Sequence, residues 1–373
     1  YRLMKKQRGS GSKPLAHIDF GKDVNQTDGW ANYFEKLATP EDNPHFDSTY
    51  HESRKLQFLL IQQIESRETR PALTTNNQET MKHIKSLKMR KAADIYGITA
   101  EHLKYAGEAI VPTLTKITNN CLETQKLPHQ YKVGKVTPAL KKGKPATDPN
   151  GHRRITVSSM IGKVTEKKMT AQTKPTLRAQ QSKLQFGFTE ECSSSNCSLL
   201  VSEAIAEAKD TKIPLFMVTM DARKAFDVIW HASTLVQLHH EGIEGPLWKA
   251  YVDMYQDIKS VICVNGELSR PITEQQGVRQ GAESSTELFK VRANPLIRRA
   301  STVPDTLRIG CIPIGVPTCA DDICLLSSTH AGAQTALLLA QDDANRERYE
   351  FSTSKTKVIL CNNNHKEKVE ELK

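Results

Sequence analysis

The stretch PTCADDICLLSS, residues 317–328, sets two adjacent aspartates inside an otherwise apolar run. An ionised carboxylate there costs free energy unless a cation or hydrogen bonds compensate it, and two neighbouring carboxylates repel each other. Side chains along a strand alternate between its faces, so Asp321 and Asp322 can serve one site only where the chain bends. The run therefore predicts two strands meeting in a tight hairpin turn at Asp321-Asp322. Taken alone, such a pair reads more readily as a solvated acidic turn.

A second apolar run also ends in an acid. In PLFMVTMDARKAFDVIW, residues 214–220 read as a buried strand closed by Asp221. Asp227 falls on the turn that follows, and a helix runs on to about His240, stopped by Gly242. If the strands that carry Asp221 and Asp321 are neighbours in one sheet, three carboxylates converge at its rim. Hard divalent cations such as Mg²⁺ take oxygen ligands of this kind, and two such ions can activate an attacking oxygen and steady a leaving phosphate.

The chain holds 373 residues, enough for a sizeable core and more than one lobe, and its formal net charge is +10. The excess is local. Residues 81–180 carry 20 Lys and Arg against 6 Asp and Glu, a net of +14, which leaves −4 for the remainder. A short basic run is ordinarily a solvated face. A whole basic segment flanked by acidic ones favours a polyanion-binding surface, nucleic acid first and an anionic membrane second. No apolar run approaches the ~20 residues of a membrane span and no signal peptide opens the chain, so a membrane partner and secretion are not expected. Eight cysteines without CxxC pairs fit ordinary buried thiols in a reducing, intracellular compartment. A start at Tyr1 rather than Met suggests a piece of something longer.

Other segments supply a coarse architecture. Residues 1–30, with KKQRGSGSKP, read as a linker or tail. GITAEHLKYAGEAIVPTLTKITNNCLE reads as helix with Thr99 as its N-cap, and GKVTPALKKGKP as a strand running into a basic turn. SSNCSLLVSEAIAEAKD reads as an amphipathic helix with Leu199, Leu200, Ala204, Ile205 and Ala208 in one stripe. SVICVNGELSRPIT is a hairpin about Asn265-Gly266, and QQGVRQGAESSTELFKV a loop leading to a helix.

Four segments, FMVTMDARKAFDVIW, QQGVRQGAESSTELF, TCADDICLL and, further on, STSKTKVIL, occur in the order, and at roughly the intervals, of a known family. The chain resembles the reverse transcriptases of non-LTR (LINE-type) retrotransposons over residues 80–362. Upstream, KAADIYGITAEHLK, VTPALKKGKP, HRRITVSSMIGKVTEKKM and QFGFTEECSSSNCSLL resemble that family's finger segments. The resemblance implies an RNA-directed DNA polymerase of α+β class. Its right-hand fold would have basic fingers, a split-βαβ palm of antiparallel strands with helices on one face, and an incomplete thumb. On this division residues 1–80 are an N-terminal linker or extension, 81–334 the fingers and palm, and 335–373 the end of the palm and the start of the thumb.

The resemblance also implies roles at individual positions. Asp221, Asp321 and Asp322, with the Ala222 carbonyl, match the ligands of two Mg²⁺ ions, for which Mn²⁺ can substitute. Phe226 matches the aromatic beneath the incoming sugar that excludes a 2′-hydroxyl, and Gln280 and Gly281 match a loop packed against nucleotide and template. Arg153 matches an arginine on the triphosphate, and Lys355 a lysine that acts as acid toward the leaving pyrophosphate. Lys141, Lys142 and Arg154 are assigned to the template. By residue type alone, Phe226 reads as a core aromatic, Arg153 as a surface arginine and Lys355 as one lysine in a polar loop. The implied partners are an RNA template, a DNA primer or target and deoxynucleotides, in a ribonucleoprotein of nucleus and cytoplasm; the oligomeric state is left open. The chain departs from the family pattern at Arg154, where proline is usual, at Glu283, where a neutral residue is usual, and at Cys319 and Ser352, where tyrosine and asparagine are frequent. A group II intron-type maturase with the same polymerase core, or an RNA-binding relic that extends no primer, are the competing readings.

Overall fold

Two four-stranded sheets organise the chain among the residues that this computed structural model describes, 15–67 and 69–362. The Gly/Ser-rich opening lies outside the described residues. The architecture is α+β. The first sheet has the order β2-β1-β4-β5, from β1 (Val133–Leu140), β2 (His152–Val157), β4 (Lys259–Val264) and β5 (Glu267–Thr273). β1 runs antiparallel to β2 and parallel to β4, and β4 turns into β5 at Asn265-Gly266. Both turn residues have positive φ, 52° and 96°, as a type I′ hairpin requires.

The second sheet is antiparallel throughout, in the order β10-β3-β9-β8. Its members are β3 (Leu215–Asp221), β8 (Thr318–Cys319), β9 (Asp322–Ser327) and β10 (Lys357–Cys361), while β6 (Arg308–Ile309) and β7 (Ile312–Pro313) form a separate ribbon. β3 and β9 are apolar at consecutive positions, so both faces of this sheet need cover. Val218, Met220, Ile323 and Leu325 pack on one face against two helices, through Leu296 and Ile297 of Ser285–Ser301 and Ala336 and Ala340 of His330–Glu347. Leu215, Met217, Cys324 and Leu326 pack on the other against Ala204 and Ala208 of the helix Ser194–Asp210. Helices therefore lie on both faces, not on one as expected, and of the expected stripe on Ser194–Asp210 Leu199 is exposed.

In chain order the longer helices among the described residues are α1 (Gln26–Ala38), α2 (Ser48–Ser66), α3 (Asn77–Ser86), α4 (Ala100–Ala106), α5 (Val111–Thr124), α6 (Met160–Gln180), α7 (Ser194–Asp210), α8 (His231–His240), α9 (Gly245–Met254), α10 (Ser285–Ser301) and α11 (His330–Glu347), with a single turn at His129–Lys132 before β1. Thr99 caps α4 in a capping box with His102, and Gly107 (φ 58°) separates α4 from the 3₁₀ turn that leads into α5. The helix expected directly after Asp221 begins only at His231, because Lys224 takes a left-handed φ of 52° and the intervening chain turns back on itself. Ile61, Met169, Leu238, Trp248 and Leu288 bring α2, α6, α8, α9 and α10 into one core. Ile84, Leu103, Leu114 and Val164 form another from α3, α4, α5 and α6.

The N-terminal segment is not a linker from residue 15 onward. Asn25 caps α1 by accepting the Asp28 N–H, and Ile18, Trp30, Ala31 and Phe34 pack on Val136, Ile262, Val264 and Ile272 of the first sheet. α2 joins the body through Ile61 and through the Tyr50 hydroxyl, which donates to Glu347 at 2.9 Å. An amphipathic helix covering an otherwise bare sheet face buries apolar area that a polar tail cannot. The cysteines are unpaired, and Cys192 and Cys311 are exposed, so not all eight are buried thiols. No helix among the described residues is long and apolar enough to cross a membrane. Trp30 is fully buried, so Trp30→Ala should lower the unfolding free energy by about 3–5 kcal/mol in a denaturant titration. A loss well below that range would mean that α1 is not integral to the fold.

Candidate active site

The residues that carry the three carboxylates lie at one end of the second sheet. β8 and β9 pair Cys319 with Asp322, so Ala320 and Asp321 are the two central residues of a hairpin turn, with Ala320 at φ 62°. β3 pairs antiparallel with β9 and ends with Asp221 directly opposite Asp322. Residues opposite each other in a ladder send their side chains to the same face. Burial raises the Asp321 carboxyl above its ordinary range, and the charges of Asp322 and Asp221 push it further up while Lys355 opposes them. Asp322 is raised in the same way, first by burial and then by Asp221.

Lys355 comes from the turn before β10. Ser352 N–H donates to the Asp221 carbonyl at 2.8 Å, Lys355 N–H donates to the Ser352 carbonyl at 3.0 Å, and the Lys355 ammonium reaches Asp221 Oδ2 at 2.7 Å. Further cations stand nearby. Lys141 donates to the Asn150 carbonyl at 3.1 Å, and its pKa is lowered by burial and by the charges of Arg153 and Lys355. Arg153 and Lys142 are exposed.

Arg154 faces the interior, contrary to the expected template contact. Strand alternation in β2 turns Arg153 outward and Arg154 inward, where it is 2% exposed and closed to a template. Its guanidinium lies 3.2 Å from Asp227 Oδ1 and 3.7 Å from Glu274 Oε1, and Arg279 Nε lies 3.8 Å from Glu274 Oε2. Ser260 adds a hydrogen bond to Glu274. Two cations and two anions thus share one buried cluster, and Asp227 belongs to it rather than to the carboxylate edge.

Phe226 is half-buried, its ring stacked on Phe289 at 4.7 Å and 7° and touched edge-on by Phe188 at 5.6 Å. The Gln280 carbonyl accepts the Thr156 N–H of β2 at 2.9 Å. Gly281 has φ 126°, and a Cβ there would lie 2.5 Å from the Thr156 carbonyl oxygen, so the loop can lie on β2 only as glycine. Glu283, the unusual acid, pairs with Lys167 of α6 at 2.9 Å. Residue type alone left Gln185 and Gly187 unassigned: both lie against the Asp321 turn, and only the pairing of their segment with β8 reveals it.

Among the described residues, no three His, Cys, Asp or Glu side chains are already arranged as metal ligands. The chemistry of the donor set nonetheless suits a divalent cation: carboxylate and carbonyl oxygens alone, mutual repulsion that a cation would relieve, and a lysine ammonium standing in beside Asp221.

The pattern of the family described as reverse transcriptase (RNA-dependent DNA polymerase) matches residues 140–372, more than half of the chain, and the chain belongs to that family. Among curated relatives, it is 26% identical over 216 residues to a probable RNA-directed DNA polymerase from transposon BS of Drosophila melanogaster, covering 57% of this chain and 24% of that one. It is 30% identical over 173 residues to the retrovirus-related Pol polyprotein from type-1 retrotransposable element R2 of Nasonia vitripennis, covering 46% and 17%. A probable RNA-directed DNA polymerase from transposon X-element of Drosophila melanogaster is 25% identical over 215 residues, covering 57% and 23%. The matches thus span only a minor part of the length of these relatives.

The raised carboxyls have a thermodynamic consequence. Just above the ordinary carboxylate range near pH 4, the folded chain holds more of the protons on Asp321 and Asp322 than the unfolded chain does. Their contribution to stability therefore improves as pH falls through that window. In a metal chelator at neutral pH, Asp321→Asn should melt higher than the wild type, with the difference shrinking as pH falls. An equal or lower melting temperature would contradict the electrostatic conflict.

Proposed function

We propose that this chain is the polymerase part of a non-LTR retrotransposon reverse transcriptase, extending a primer 3′-hydroxyl with deoxynucleotides on an RNA template. The second sheet with α7, α10 and α11 serves as the palm. The first sheet with the basic helices before it serves as the fingers, and the chain beyond β10 leads toward a thumb. The observation that carries this reading is the cross-strand pairing of Asp221 with Asp322, one residue from Asp321 and beside Lys355.

Asp221, Asp321 and Asp322, with the Ala222 carbonyl, would hold two Mg²⁺ ions, or Mn²⁺ in their place. When bound, such ions supply countercharge to the phosphates and lower the pKa of an attacking hydroxyl. The chain's own groups do the rest. Arg153, with Lys141 behind it, grips the triphosphate, a task suited to the planar guanidinium. The Lys355 ammonium would give a proton to the departing pyrophosphate oxygen. Phe226, its ring fixed by Phe289, presents a flat face beneath the sugar, and Gln280-Gly281, seated on β2, limits where base and template lie. Lys142 and the exposed lysines of the fingers meet the template through its phosphates, without reading sequence. The protein's work is position and electrostatics, and its setting is a ribonucleoprotein of nucleus and cytoplasm.

Primer extension on an RNA template with deoxynucleotides and Mg²⁺ tests the reading. The wild type should extend, and Asp321→Asn should lose extension by several orders of magnitude while melting no lower than the wild type. Salt-sensitive RNA binding without extension would return the chain to an RNA-binding role. Sugar choice is tested at Phe226. Phe226→Ala should raise the ratio of kcat/KM for a ribonucleotide to that for its deoxy counterpart, whereas Phe226→Tyr should leave it low. A purely structural Phe226 predicts instead an unchanged ratio in a protein destabilised by about 3–5 kcal/mol.

A further inference from the structure

The turn that carries Asp321 does not hold itself. Ala320 is left-handed at φ 62°, a conformation that a non-glycine residue keeps only where its surroundings hold it. What holds it comes from the chain just beyond α6. Residues Leu184–Phe186 run parallel to β8: Thr318 N–H donates to the Leu184 carbonyl and Phe186 N–H to the Thr318 carbonyl, both at 2.8 Å.

Between them Gln185, 2% exposed, turns its side chain onto the turn itself. Its Oε1 accepts the Ala320 N–H at 3.0 Å and the Gly187 N–H at 2.8 Å, and its Nε2 lies 3.4 Å from the Ala320 carbonyl oxygen. The Gln185 carbonyl in turn accepts from Thr189 Oγ1 at 2.8 Å and Gln181 Nε2 at 3.2 Å, so the backbone that carries the amide is tied as well. Gly187 makes the approach possible, because a methyl group there would run into the backbone nitrogen of Ala320. The next residue, Phe188, then sets its ring edge against Phe226.

We infer that Gln185 is a positioning residue: its side-chain amide clamps Ala320 and so fixes the direction of Asp321 and Asp322, with Gly187 as the glycine the clamp requires. The inference rests on the proposed reading of those carboxylates as metal ligands, but the clamp itself is separately measurable. A buried glutamine that merely filled space would not spend its amide on both backbone groups of one strained residue. Outer groups that orient ligands commonly govern metal affinity without touching the metal.

Two measurements on the full chain test this. Deuterium uptake of the peptide that carries Ala320 should be faster in Gln185→Leu than in the wild type. Mn²⁺ affinity, read from the electron paramagnetic resonance signal of the free ion, should fall by about 10–100-fold in the same variant. Ile84→Ala, a destabilised control in a different core cluster, should change neither. Gln185→Glu retains an acceptor for both N–H groups and should keep Ala320 protected, whereas Gly187→Ala should expose it. If Gln185→Leu fails to fold, that second pair carries the same comparison. Unchanged uptake at Ala320 in Gln185→Leu, or an equal change in Ile84→Ala, would overturn the clamp. If the wild type shows no Mn²⁺ binding that Asp321→Asn removes, the metal reading fails instead, and the uptake at Ala320 still decides the clamp.

Discussion

Six consecutive residue pairs join β3 to β9, from Phe216 opposite Ser327 to Asp221 opposite Asp322, and the candidate site exists because of that register. Strand side chains have a period of two, so a slip of one residue would send Asp221 to the face opposite Asp322 and drive Val218 and Met220 out of their core. The apolar pattern on both faces, packed against α7 on one side and α10 and α11 on the other, makes such a slip costly. Hydrophobic burial thus sets the position of the charged groups. The carboxylates themselves oppose it, since burial and mutual repulsion raise both Asp321 and Asp322. A fold that keeps this local conflict is consistent with a site whose stability is traded for binding.

The second constraint is the buried cluster of Arg154, Asp227, Glu274 and Arg279. Asp227 follows β3, Glu274 follows β5 and Arg154 lies in β2, so the cluster ties the two sheets together beside the carboxylate edge. Pairs of this kind contribute little net stability against an apolar replacement, yet removing one partner alone strands a buried charge at a cost of about 3–5 kcal/mol. Their value here is geometric. With Arg154 held inward, Arg153 must face outward, where its charge acts on Lys141. The same economy appears at Glu283, an acid in an unusual place whose charge Lys167 compensates.

Much of the site was readable from residue type and spacing. Two aspartates in an apolar run require a bend, and the bend is the β8–β9 turn; Asn265-Gly266 and Thr99 announced a hairpin and a helix start through purely local backbone chemistry. These features depend on neighbours a few residues away. Misreadings fell where the deciding partner is distant. Adjacent Arg153 and Arg154 are alike in type, and which of them turns inward depends on Asp227 and Glu274, far along the chain. The early residues read as a polar linker because the chain opens with KKQRGSGSKP, whereas the sheet face that buries Trp30 is assembled from β1, β4 and β5, far along the chain.

By itself, then, the sequence determined the chemical inventory and the local geometry: three carboxylates beside apolar strand runs, a basic segment of net +14 before them, and an ordered set of segments typical of one polymerase family. Only the tertiary structure decided convergence. It set Asp221 opposite Asp322, brought Lys355 within 2.7 Å of Asp221, turned Arg154 into the interior and laid Gln185 on the backbone of Ala320. The physical reason is range. Turn, cap and strand preferences are settled within a few residues, whereas register, burial and long-range pairing are settled when distant apolar surfaces are removed from water together.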